Sequence, residues 1–152
     1  MSDLDCTNFL LAARSIQDHI ASLPSANSKC QSITGDFIYE TVRIAALVYC
    51  RAIINYLPFS EACYPADLSM MFSTMSQISL SQWKQFPGIW VFILLSMNPA
   101  ARNVPLGVNL RSLLKISCFS LAVWEWQAFA NLIESFIYVQ RWIRAAGKQG
   151  CV

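Results

Sequence analysis

Apolar residues in this chain recur in steps of three and four along most of its length, and no stretch alternates with period two for long enough to make a strand. The pattern predicts an all-α fold of about six helices. From Asp3 to Leu23 the apolar positions are Phe9, Ala13, Ile16, Ile20 and Leu23, a single helical face. Asp3 or Asp5 can cap its start, Pro24 follows its end, and 25–35, SANSKCQSITG, reads as a polar loop. Asp36 then caps a second helix running to about Leu57, where Pro58 ends it. Ile38, Val42, Ala45, Tyr49, Ala52 and Tyr56 keep the rhythm, and Phe37, Ile44 and Val48 widen the face. Only a thin polar strip of Glu40, Arg43 and Arg51 is left, with Glu40 and Arg43 spaced for an i,i+3 pair.

A third helix over 66–79 is rich in serine and threonine and carries Met70, Met71 and Met75. The stretch Trp83–Arg102, WKQFPGIWVFILLSMNPAAR, is the most apolar in the chain. Pro87 suits a first helical turn and Pro99 cannot continue a helix, so the helix lies between them. Its run from Ile89 to Leu95 has no polar face, which requires cover on nearly all sides. At roughly 17 Å it is too short for the ~30 Å core of a bilayer. A fifth helix over 108–119 turns Leu110, Leu113, Leu114 and Ser117 inward and Arg111 and Lys115 outward. The last, over 122–146, sets Trp126, Phe129, Ile133, Phe136 and Gln140 on one face, widened by Ile137 and Ile143, and Gly147 is its C-terminal stop. Trp90 and Leu94 on the apolar helix, with Phe129 and Ile133 on the last, are the expected structural core.

At 152 residues the chain is expected to form one domain. Residues 1–35 form an N-terminal helix and polar loop, 36–147 the main helical body, and 148–152 a tail. The hydrophobic fraction is 55% and the charged fraction only 13%, so either burial is extensive or some apolar surface belongs against a partner. The candidates for that surface, or for a pocket, are Met70, Met71 and Met75 with Ile44 and Val48 on the broad face of the second helix.

The net charge of +2 is too small to argue for nucleic acid. The six cysteines, at 6, 30, 50, 63, 118 and 151, have no zinc spacing, and the expectation is no metal, no cofactor and no sequence-specific DNA binding. Cys50 and Cys118 read as small core residues. The N-terminus MSDLDC lacks the basic region and apolar run of a signal peptide, which points to the nucleus or cytoplasm. Nucleophilic catalysis normally needs a base within reach, and the sole histidine, His19, has a surface-like setting beside Asp18. No Gly-rich phosphate cradle occurs. The chain is not expected to be an enzyme.

Three stretches in order, YETVRIAALVYCRAI (39–53), WKQFPGIWVFILLSMNPAAR (83–102) and WEWQAFANLIESFIYVQRWI (124–143), resemble the C-terminal part of the fungal-specific transcription factor domain. That domain is the helical region downstream of Zn2Cys6 clusters, and the resemblance runs over 39–146. It implies an all-α fold and a regulatory role, with no active-site residues. The family's zinc cluster is missing here, and Ser96, Met97 and Asn98 stand where its middle motif continues with small residues. The expected function is therefore a transcription-factor-like module acting through a protein partner or a second copy of itself, with a small ligand also admitted. The alternatives are a small helical metabolite-binding protein or enzyme, or an inactive remnant.

Overall fold

The computed structural model describes residues 3–26 and 36–149, and among these every regular element is helical. The order is α1 (Asp3–Ser22), α2 (Phe37–Ile54), α3 (Phe59–Ala62), α4 (Pro65–Ser76), α5 (Leu80–Trp83), α6 (Pro87–Met97), a 3-10 turn (Ala100–Asn103), α7 (Leu106–Trp124) and α8 (Trp126–Gln149). The fold is all-α. No helix among the described residues is long and apolar enough to cross a membrane.

Helix α6 is central because it has no polar face to offer. Pro87 occupies its first turn, where a missing N–H costs nothing, and Trp90, Val91, Ile93, Leu94, Leu95, Ser96 and Met97 are all buried. Helices α2, α7 and α8 all pack on it. The buried Ser96 hydroxyl is satisfied within the helix by donating to the Ile93 carbonyl at 2.7 Å. Tyr49 on α2 stacks on Phe92, with ring centroids 4.2 Å apart, and its ring also meets Phe59 and Phe136 edge-on.

Helix α2 is the second organiser, touching α1, α3, α4, α6 and α8. Asp36 caps it by accepting from the Tyr39 N–H at 2.9 Å. It ends at Ile54, three residues before the sequence expectation. The cause is a Schellman turn: Tyr56 takes φ 52°, its N–H donates to the Ile53 carbonyl, and the Leu57 N–H reaches back to the Ala52 carbonyl. The chain thus stops before Pro58 can act.

Glu40 departs further from its expected place on a polar strip, because it is fully buried. Its carboxylate accepts from Arg43 Nη2 at 2.7 Å and from the Ala26 N–H at 2.9 Å, so the segment after α1 is tied down onto α2. Arg51 has a parallel role at the other end. Its Nη1 donates to the Ala62 carbonyl and to Asp67 Oδ2, and its guanidinium lies 4.1 Å from the Tyr64 ring centroid. Asp67 in turn accepts from the Tyr64 N–H at the start of α4. The hydroxyls of Thr41 and Thr74 meet at 2.8 Å and close the α2–α4 contact.

On α1 the buried position is Ala13, Leu10 packs against the core, and Ile16 is exposed, so the inward face is rotated from the one the spacing suggested. Phe9 keeps an edge-on contact with Trp142. At the other end of the chain, α7 starts so close to the 3-10 turn that a Cβ on Gly107 would fall 1.9 Å from the Ala101 carbonyl oxygen. That helix runs on to Trp124, five residues past its expected end, and breaks at Glu125.

Candidate functional site

The candidate site is the outer face of α7. Leu110 and Leu121 are buried and Leu113, Leu114, Ser117 and Cys118 are half-buried, which defines the side facing α6 and α8. At 100° per residue, Val108, Ser112, Ile116, Phe119 and Val123 share the opposite side. All five are exposed. Phe119 is 73% accessible and, just beyond it, Trp124 is 85% and Trp126 is 65% accessible. Large aromatics are seldom left so open, and Val108, Ile116, Phe119 and Val123 form an exposed apolar row along α7.

Charges border the stripe. Lys115 lies one turn before Phe119, and Glu125 follows Trp124 at the helix break. Both are exposed, and neither forms a salt bridge among the described residues, where Arg43–Glu40 and Arg51–Asp67 are the pairs found. A cleft of about 600 Å³ between the end of α7 and the start of α6 is lined by Lys84, Pro87, Ser120, Leu121, Trp124 and Glu125. Two further clefts lie between Phe9 and α8 and between Tyr56, Pro58, Phe59 and the end of α8.

The residues singled out from sequence sit elsewhere. Met71, Met75, Ile44 and Val48 are buried in the main core, and only Met70 of that group is exposed. They are not a surface because α1 and α4 both cover α2, and α4 turns Met71 and Met75 toward it. None of the three clefts is lined by these methionines. Trp90 and Leu94 are buried as expected, whereas Phe129 and Ile133 are half-buried against a smaller cluster of Val91, Leu95 and Leu121. Trp126, assigned to the inward face of the last helix, points out.

The titratable groups are placed for structure. His19 is exposed. Burial pushes the Cys63 thiol up to about 12, helped by the nearby Asp67 carboxylate, and burial also raises Cys50 and Cys118, so none of the three is an activated nucleophile. Burial would raise Glu40 as well, but the hydrogen bonds from Arg43 and Ala26 outweigh it and hold the carboxyl below its ordinary value. Among the described residues no three His, Cys, Asp or Glu side chains are grouped to hold a metal ion.

Compared with family models, with curated proteins and with solved structures, the chain matches none. The α7 stripe was the feature sequence reasoning missed. Its signal was present in the steps of three and four from Ile116 to Phe119 to Val123, a second apolar row on a helix whose leucine row already filled the core.

Proposed function

We propose that this chain is a helical regulatory module of transcription-factor type that works by binding protein through the outer face of α7. The observation that carries the reading is the exposed apolar row of Val108, Ile116, Phe119 and Val123 on the outer face of α7. Support comes also from the order of the three motifs that resemble the fungal-specific transcription factor domain. The middle motif forms the buried α6 and the other two form much of α2 and α8, the helices that pack on it. The module acts in the nucleus or cytoplasm, has no enzymatic activity and reads no DNA sequence by itself.

Tethering tests this reading. Fused to an unrelated DNA-binding domain, the chain should change expression of a reporter bearing that domain's site, and Phe119→Asp should abolish the change at equal protein level. A fusion that leaves the reporter at baseline, or one whose effect survives Phe119→Asp, would remove the support for a regulatory module acting through α7. Purified alone, the chain should bind a chosen duplex and its scrambled version equally at physiological salt.

A further inference from the structure

We infer that the cleft between the end of α2, α3 and the last turns of α8 binds a small apolar carboxylate, held through its charge by Arg144. The site is separate from the α7 face and stands whatever covers that face. At about 430 Å³ the cleft has the size of a small-molecule site. Phe59 and Ile143, both buried in the main core, supply its apolar part, and Gln140 and Arg144 are its polar groups on α8. These two lie one turn apart and so share one side of that helix. Arg144 is exposed and forms no salt bridge among the described residues, and no acidic side chain lines the cleft. A guanidinium takes a carboxylate through two parallel N–H bonds, which leaves the apolar part of the molecule for Phe59 and Ile143.

Two residues of the cleft go against the preference of their own backbone. Tyr56 holds φ 52° in the Schellman turn, a position that suits glycine and strains a bulky side chain. Its ring packs 5.5 Å from that of Trp142, and the residue also lines the cleft. Gly147 is the converse case. Helix α8 does not stop at it but runs through it to Gln149, and Gly147 does not take the left-handed φ that would call for glycine. A Cβ there would stand 3.7 Å from Tyr56, an ordinary contact, so packing does not require glycine either. A glycine at 56 and a larger residue at 147 would suit the helices better, but the first would remove a wall of the cleft and the second would fill it. Local rules broken together around one cavity are what a binding site is expected to show.

Calorimetric titration of the full chain with naphthoate tests the site, with naphthalenemethanol as the uncharged molecule of the same shape. Naphthoate should bind one-to-one with a Kd below about 1 mM, and the alcohol should bind about tenfold more weakly or worse. Arg144→Gln should bring naphthoate down to the level of the alcohol. Its thermal melt should match the wild type, because the side chain is exposed. Gly147→Leu should remove binding of both molecules while melting at or above the wild type. Lys84→Gln, in the cleft beside Trp124, should bind naphthoate as the wild type does. Equal affinity for acid and alcohol, or naphthoate affinity untouched by Arg144→Gln, would overturn the carboxylate site. So would no saturable binding up to that concentration. Binding lost in Lys84→Gln and kept in Arg144→Gln would overturn it too, by moving the site to the other cleft.

Discussion

Trp90 Nε1 donates a 2.7 Å hydrogen bond to Ser117 Oγ, which ties the buried helix α6 to the inner side of α7. Ser117→Ala should strand the indole N–H in an apolar setting and lower stability by about 1–2 kcal/mol. Trp90→Phe with Ser117→Ala removes donor and acceptor together, so in urea titrations the double variant should lose less than the sum of the single losses.

Glu40 should give the chain an acid-sensitive limb. Its folded-state pKa lies below the ordinary 4.5, so its contribution is complete above that value and is lost as pH falls through the lower folded-state value. Arg43 keeps its charge throughout, since the hydrogen bond it donates to the Glu40 carboxylate raises its pKa further. Glu40→Gln should cost about 2–3 kcal/mol at pH 7, and the difference from wild type should shrink steadily as the pH falls below 4.5. Denaturation midpoints measured at several pH values check the slope.

Leu94 is fully buried on a helix with no polar side. Leu94→Asp should lower stability by several kcal/mol, enough to unfold a marginal domain. A thermal melt superimposable on that of the wild type would mean that α6 is not the core.

Gly107 is the position where space alone dictates the residue. Gly107→Ala places a methyl group against the Ala101 carbonyl, and unlike a flexible side chain the backbone there cannot swing away. The expected loss is about 1–3 kcal/mol. Gly88→Ala, where a Cβ meets nothing within 4 Å, should be neutral or slightly stabilising and serves as the control.

These sites differ in how far the sequence announced them. The buried α6 was legible because the run from Ile89 to Leu95 leaves no side for water, whatever surrounds it. Asp36 as a cap and Glu40 with Arg43 as a pair were legible because both are local, within one turn of helix. The burial of Glu40 was not, since the group that covers it is Ala26, fourteen residues upstream and joined by no periodic pattern. The break between α7 and α8 at Glu125 carries neither glycine nor proline, so the two helices read with wrong ends. The methionine row misled for a related reason: spacing places Met71 and Met75 on one face but does not say that α2 already lies against it.

The five tryptophans divide the molecule in a way that permits one direct test of the interaction surface. Trp83, Trp90 and Trp142 are buried, while Trp124 and Trp126 are exposed at the junction of α7 and α8, next to the end of the proposed contact. With fluorine-labelled tryptophan, each indole gives its own resonance, assigned by single Trp→Phe variants. Titrating in an uncharged hydrophobic dye should shift or broaden Trp124 and Trp126 and leave Trp83, Trp90 and Trp142 in place. Resonances of Trp124 and Trp126 that hold their positions across the series, or changes confined to the three buried indoles, would contradict the assignment of α7 as the surface through which this chain acts.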